Sequence, residues 1–370
     1  MIKFLDLKAV NERFRKEIAD AMVRTVDSGW YILGEEVAAF EKEYARFISS
    51  RHCIGCGNGL EALTLILRAW IEMGRLRKGD EIIVPANTFI ASILAISENG
   101  LKPVLVEPDP LTLRIDADRI KEALTPKTKA IMIVHLYGRC AFSHEISGIA
   151  RENNLLIIED NAQAHGCRFE GQPTGSFGNA GAHSFYPGKN LGALGDAGAV
   201  TTDDDALAEM VRTLANYGSS RKYVFDYCGK NSRLDELQAA VLRIKLRHLE
   251  SDNRRRMEVA RRYYDGIRHP EIWLPSRPDK EEENVWHIFP VFTERRDELQ
   301  AYLKDKEIQT LIHYPIPPHK QKCYPEWHTL SLPVTEKIHS CELSLPISPV
   351  ITDEEADRVI SAINSFPITI

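Results

Sequence analysis

No stretch of this chain is both uncharged and apolar over the length a bilayer demands, so no membrane span is expected. A basic excess is also missing: 47 Lys and Arg stand against 53 Asp and Glu, for a formal charge of -6. That balance speaks against a protein that grips nucleic acid by its phosphates, although a small anionic substrate needs only a few local cations. Paired cysteines are scarce. The seven cysteines, an odd number scattered from Cys53 to Cys341, do not read as a disulfide framework. Cys53-Ile-Gly-Cys56 has no second pair nearby and reads as two small buried residues at a strand end. The segment Met1 to Lys8 carries charges where a secretory signal needs an apolar run, so a cytoplasmic protein is expected. Repeats, low-complexity tracts and long Gly/Ser linkers are absent. What remains is an ordinary globular composition, 44% hydrophobic and 27% charged over 370 residues, enough for about two domains.

Short apolar runs alternate with helix-like segments. The runs Glu81–Pro85, Pro103–Glu107, Ala130–Leu136 and Leu155–Asp160 do not alternate polar with apolar, so they read as strands buried on both faces. Their alternation with helices predicts an α/β fold, a mostly parallel sheet flanked by helices. Residues 9–27 and 35–48 read as amphipathic helices, and Gly59 to Trp70 as a mostly buried one. A charged helical stretch covers 235–266. Beyond it the pattern changes to short strand-like pieces, Val285–Thr293 and Gln309–Tyr314, mixed with helices at 295–305 and 352–365. A boundary near 248 is therefore expected, with a large domain at 1–248 and a smaller α+β domain at 249–370.

The most informative segment is His183-Ser-Phe-Tyr-Pro-Gly-Lys-Asn-Leu-Gly192. A strand at Ala182–Tyr186 is broken by Pro187 and Gly188, which leaves Lys189 just past a strand end, where open α/β sheets bind ligands. A lysine there forms a Schiff base once its neutral amine is favoured. A lone lysine is far more often a solvated surface residue, so its company decides. Leu155-Leu-Ile-Ile-Glu-Asp160 is an apolar strand ending in a carboxylate, suited to holding the ring nitrogen of pyridoxal 5′-phosphate protonated or, equally, to capping a helix. Gln163 follows, within reach of that ring's phenolic oxygen. Gly55-Cys-Gly-Asn-Gly59 turns into a helix whose free N–H groups suit one phosphate. It is neither a dinucleotide fingerprint, since position 60 is Leu60, nor a P-loop. In Pro85-Ala-Asn-Thr-Phe89, an aromatic residue after a strand end can stack on a flat ring.

These segments resemble the DegT/StrS family of pyridoxal-phosphate-dependent nucleotide-sugar aminotransferases. The resemblance is carried by Glu159-Asp-Asn-Ala-Gln-Ala-His-Gly166 and Ser184-Phe-Tyr-Pro-Gly-Lys-Asn-Leu-Gly192, and it extends through Gly195-Asp-Ala-Gly-Ala-Val-Thr201 and Gly229-Lys-Asn-Ser-Arg-Leu234. It implies a fold type I aminotransferase architecture with Lys189 as Schiff-base lysine and proton shuttle. Asp160 becomes the pyridinium partner and Gln163 the neighbour of the phenolic oxygen. Gly59, Leu60 and Ser184 become phosphate contacts and Phe89 the stacking residue. Asn58-Gly-Leu60 departs from the commoner Ser-Gly-Thr loop, so Leu60 keeps only a backbone contact. Asn231 matches a residue reaching the phosphate of a neighbouring subunit, which implies a homodimer with shared active sites.

Gly34 in Trp30-Tyr-Ile-Leu-Gly34, Asn58-Gly-Leu60 and His313-Tyr-Pro-Ile-Pro-Pro-His319 place the chain nearest family members making dTDP-3-amino-3,6-dideoxyhexoses. The implied reaction moves an amino group from L-glutamate to a dTDP-3-keto-6-deoxyhexose. A 4-keto sugar is the alternative substrate, and a non-catalytic regulatory or scaffold protein is the alternative class. Sugar dehydratases of this fold lack the lysine that is present here. His313, Tyr314 and His319, on a proline-stiffened loop, are candidate sugar or pyrophosphate contacts, as are Tyr186 and Lys222. His313, His319, Cys323 and His328 lack the paired spacing of a zinc site, so no metal is expected. Arg254-Arg-Arg256 and Arg261-Arg262 alternate with acids and read as a solvated face.

Overall fold

The computed structural model describes residues 1–368. Seven strands form its central sheet: β1 (His52–Cys56), β2 (Glu81–Pro85), β3 (Lys102–Val106), β4 (Thr128–Val134), β5 (Leu156–Asp160), β6 (Ala180–Ser184) and β7 (Gly198–Thr202). Side by side they run β1-β7-β6-β5-β4-β2-β3. The strands β6, β5, β4, β2 and β3 are mutually parallel, and β7 runs antiparallel to both of its neighbours. The expected mostly parallel α/β sheet is therefore present. Its apolar runs are explained by two-sided burial. Ile82, Val84, Met132 and Ile158 enter one apolar cluster, and Ile83, Ile131, Ile133 and Ile157 enter another.

The helices that shape the site are α1 (Arg15–Ser28), α2 (Glu35–Ile48), α3 (Gly59–Glu72), α4 (Ile90–Glu98), α5 (Glu236–Leu246) and α6 (Leu249–Gly266). Asn58 starts α3 by accepting the Glu61 N–H at 3.0 Å, an ordinary N-cap. A further apolar cluster joins Val259 and Tyr263 of α6 to Phe289, Val291, Leu343 and Leu345, and also takes in Ile2. The start of the chain thus returns to its C-terminal part, through a bridge between Ile2 and Ile308. Among the described residues, no helix is long and apolar enough to cross a membrane.

Three expectations change. The helix read over 9–27 is interrupted, with a short helix Leu7–Glu12 preceding α1. The stretch 235–266 is two helices, broken at Arg247 and His248. Gln309–Tyr314 is not a strand and makes only an isolated bridge at Leu311. The reason lies in its partners: the Glu342 carboxylate accepts the His313 N–H at 2.6 Å, and the Tyr137 hydroxyl donates to the His313 carbonyl at 2.6 Å. At His313 side chains satisfy the backbone, while Gln309 and Leu311 bond the backbones of Ile2 and Ser344, so no continuous ladder forms.

β5 ends in two consecutive carboxylates that do different things. Glu159 is fully buried. It accepts the N–H groups of Gly175, Phe177 and Gly178, each at 2.7 Å, and faces His135 Nε2 at 2.9 Å. It therefore holds the loop between β5 and β6 to the sheet. Glu159→Ala would leave those donors buried and unpaired. The apo-protein should lose roughly 3 to 5 kcal/mol of stability, read as a lower urea midpoint. A loss below about 1 kcal/mol would show that water replaces the carboxylate in this loop.

Candidate active site

Asp160, the last residue of β5, is buried. Its Oδ2 accepts from Ser92 Oγ at 2.8 Å and its Oδ1 from the Ala162 N–H at 3.2 Å. Ser92, on α4, lies 2.8 Å from Thr88 Oγ1. Burial raises the Asp160 pKa, opposed by these bonds and by the Lys189 charge. A buried carboxylate pushed upward in this way is stabilised by a cation placed beside it, and a pyridinium nitrogen is one.

Lys189 sits on the turn after β6, where its N–H bonds the Tyr186 carbonyl at 2.8 Å. Burial lowers its pKa to about 8, while Asp160 pulls it upward. Its turn is tied down from several sides. Asn190 Nδ2 donates to Asn253 Oδ1 at 2.9 Å and to the Val285 carbonyl at 3.0 Å, and the Lys245 ammonium donates to the Gly192 carbonyl at 2.6 Å. At Gly192 a Cβ would stand 2.3 Å from the Pro187 carbonyl, so only glycine closes this turn.

Gln163 is oriented by the Tyr137 N–H, which donates to its Oε1 at 2.6 Å. That fixes the amide, and Gln163 Nε2 donates to the Tyr314 hydroxyl at 3.0 Å. The Tyr314 ring lies 4.9 Å from that of Phe89, which is 46% exposed and free to take a flat ligand. Gly59 opens α3 directly against Ser184, whose Cβ would lie 2.5 Å from any Cβ at position 59. The Gly59 and Leu60 N–H groups start the helix and have no hydrogen-bond partner among the described residues. The cradle suits one phosphate.

The fold therefore gathers Lys189, Asp160, Gln163, Phe89, Gly59, Leu60 and Ser184 around the strand ends, and these residues fit pyridoxal phosphate. The half-buried His313 joins them, since the Lys189 charge adds to burial in lowering its pKa to about 4. Tyr186 is exposed on the same turn as Lys189. Other candidates stand apart. His319 is fully buried with Nε2 on Glu336 at 2.9 Å, so the direct sugar contact expected of it is withdrawn. Lys222 lies on an exposed hairpin (Ser219–Arg221 and Val224–Phe225), its ammonium 5.3 Å from the Tyr223 ring. Asn231 is exposed beside Ser232, whose Oγ accepts the Gly57 N–H behind the phosphate cradle at 3.0 Å. Among the described residues no metal-binding cluster of His, Cys, Asp or Glu occurs.

Comparison with known proteins identifies this arrangement. The family model for DegT/DnrJ/EryC1/StrS aminotransferases matches residues 12–364. The chain belongs to that family. It is 55% identical, over 99% of both chains, to dTDP-3-amino-3,6-dideoxy-alpha-D-galactopyranose transaminase of Aneurinibacillus thermoaerophilus. It superposes on S. venezuelae DesV, solved in complex with a ketimine intermediate, with a TM-score of 0.94 at 46% identity, covering 98% of this chain and 97% of the other. NtdA of Bacillus subtilis, solved with bound cofactor PMP, matches with a TM-score of 0.89 at 33% identity, over 97% of this chain and 83% of that one. This aminotransferase is a pyridoxal-phosphate enzyme.

Sequence reasoning missed several residues of the site. Ser92, Tyr137, His287, Glu342 and Ser344 reach it from segments distant in the chain, and none carries a local motif. The depressed Lys189 pKa gives a direct expectation. The neutral amine is the reactive form, so capture of pyridoxal phosphate by the apo-protein should speed up about tenfold per pH unit below pH 8 and level off above it. Stopped-flow absorbance between pH 6 and 10 reads this. An inflection at the ordinary lysine value would show that the amine is as well solvated as in a peptide.

Proposed function

We propose that this aminotransferase moves the amino group of L-glutamate onto carbon 3 of a dTDP-linked 3-keto-6-deoxyhexose, within deoxysugar biosynthesis. The observation that carries the reading is the Lys189, Asp160 and Gln163 arrangement in a chain 55% identical over its length to a dTDP-3-amino-3,6-dideoxygalactose transaminase. Bound pyridoxal phosphate supplies a carbonyl to hold nitrogen and a ring that absorbs the electrons of a broken C–H bond. Asp160, fixed by Ser92, would keep the ring nitrogen protonated. Lys189 would lift a proton from the donor carbon and return one to the acceptor carbon as a positioned general base and acid. Gln163 and Tyr314 would hold the phenolic side, and Gly59, Leu60 and Ser184 the phosphate. His313 and the exposed Tyr186 would meet the sugar nucleotide. Free thiols at all seven cysteines suit a reducing cytoplasm.

The active unit is proposed to be a homodimer. Trp30, Tyr31 and Leu33 are exposed, as are Tyr217, Tyr223 and Phe225 of the hairpin region, apolar side chains suited to a protein–protein contact. The hairpin carries Lys222, and Asn231 follows it, so pairing would bring both toward a neighbouring site.

Two experiments test these readings. Incubation with glutamate and a dTDP-3-keto-6-deoxyhexose should give a product with nitrogen on carbon 3 by NMR. Turnover only with a 4-keto sugar would replace that substrate assignment. For the dimer, the Lys189→Ala and Asn231→Ala proteins should each be impaired. Mixed and allowed to exchange subunits, they should regain activity from sites pairing an intact Lys189 with an intact Asn231. Absence of any recovery in mixed dimers would place Asn231 in its own chain's site.

A further inference from the structure

Glu342 and Ser344 begin the strand β8, Glu342–Leu345, and both are fully buried. They meet His313 in an unbroken line. The Glu342 Oε1 lies 2.5 Å from Ser344 Oγ, and Ser344 Oγ lies 2.8 Å from His313 Nδ1. The other carboxylate oxygen, Oε2, is engaged by the His313 N–H at 2.6 Å. With Tyr137 on its carbonyl at 2.6 Å, His313 is held at both ends of its backbone unit and at one ring nitrogen. His313 Nε2 has no hydrogen-bond partner among the described residues and is left for a ligand.

Counting protons along this line gives two closed arrangements. If Glu342 is ionised, the Ser344 hydroxyl must donate to it. Ser344 Oγ then accepts from His313 Nδ1–H, and Nε2 is a bare lone pair. If Glu342 is protonated, its Oε1–H donates to Ser344, Ser344 donates to Nδ1, and the imidazole proton sits on Nε2. Both arrangements satisfy every contact and keep the ring neutral. They differ by one proton on the whole line.

We propose that Glu342, Ser344 and His313 form a proton relay that delivers a proton through His313 Nε2 to the sugar oxygen that leaves in transamination. This rests on a keto-sugar as the acceptor at this site. When an amine nitrogen has added to the sugar's carbonyl carbon, the resulting hydroxyl must leave as water. The nitrogen lone pair forms the second C–N bond, the C–O electron pair departs with oxygen, and the oxygen takes the Nε2 proton. At the same time Ser344 gives its proton to Nδ1 and Glu342 gives its proton to Ser344, which leaves a carboxylate. The relay resets by accepting one proton through Nε2. No imidazolium forms, and an imidazolium is what this site disfavours: burial and the Lys189 charge both act against it. Burial raises the Glu342 pKa to about 8, opposed by its bonds to Ser344 and His313 and by the Arg296 charge, so the carboxyl exchanges a proton near working pH. The other titratable groups coupled to the line are Tyr137, Tyr314, His287 and Lys189.

The test reads the tautomer directly. In apo-protein with 15N-labelled histidine, His313 resonances should pass from the Nε2–H form near pH 6 to the Nδ1–H form above about pH 9. Glu342→Gln should hold the ring as Nε2–H throughout, because the amide NH2 only donates to Ser344. Ser344→Ala should remove the crossover, and Ser344→Thr should keep it. In wild-type enzyme in its pyridoxamine form, the reaction with keto-sugar should be about 10²-fold faster than in the Gln and Ala variants, with Thr restoring it. A single His313 tautomer across the pH range, or the same crossover in Ser344→Ala, would overturn the relay. If no keto-sugar reacts even with wild type, the substrate reading fails while the NMR result still judges the line.

Discussion

Everything at this site turns on the burial of Asp160 and Lys189 in one another's field. Burial raises the acid and lowers the amine, and each opposes the shift of the other. A buried acid and base left to themselves would trade a proton and fall silent. Here Ser92 and the Ala162 N–H orient the carboxylate, and Lys189 stands on a turn anchored through Asn190 and Gly192 rather than through its own amine. The amine stays available, and the carboxylate awaits a cation. A pyridinium ring with a carbonyl alongside answers both needs, which is why the cofactor follows from the protein's own electrostatics.

The scaffold makes that arrangement possible because the parallel strands deliver their ends to one place. Glu159 and Asp160 are adjacent on β5, so they emerge on opposite faces. One is spent on structure and the other on chemistry. Glu159 fixes the following loop by accepting backbone N–H groups. Cys140 and Glu159 favour a second proton on the paired His135, but the Ala141 N–H already points at its Nδ1 at 2.9 Å. The ring is therefore neutral with its proton on Nε2, directed at Glu159.

Much of this was legible in the sequence because it is local. Continuous apolar runs marked strands buried on two faces, and the pairing of Ile82 and Ile83 with opposite clusters is the physical content of that pattern. Asp160, Lys189 and the Gly59 cradle each sit at a junction between elements, where composition changes abruptly. His319 misled because two histidines on one stiff loop look equivalent. The prolines turn the chain between them, so His313 meets the site and His319 packs on Glu336. Ser92, Glu342 and Ser344 could not be read at all. Their roles arise only when segments more than two dozen residues apart are packed together, and an isolated serine or glutamate carries no trace of that.

The imidazoles beside Lys189 and Tyr314 show how the fold controls protons beyond the pair itself. His287 Nδ1 faces Asn190 Oδ1 at 3.3 Å. Asn190 spends its NH2 on two carbonyl oxygens, so the histidine must be the donor there. His339 Nδ1 lies 2.7 Å from the Tyr314 carbonyl and must likewise donate. Burial and nearby cations lower both pKa values, so each ring is neutral with a fixed tautomer. A cluster of neutral, oriented imidazoles gives polarity without adding positive charge, and added positive charge would work against a pyridinium. His313 differs from His287, His339 and His135 in one respect: its Nδ1 partner is a hydroxyl, which can donate or accept, whereas the Nδ1 atoms of those three face a carbonyl oxygen or a backbone N–H, which cannot change roles. A histidine locked by a one-way partner positions what lies beside it, and a histidine set against a hydroxyl keeps both tautomers within reach. That distinction separates His287, His339 and His135, which shape their surroundings, from His313, whose free Nε2 can pass a proton to a ligand.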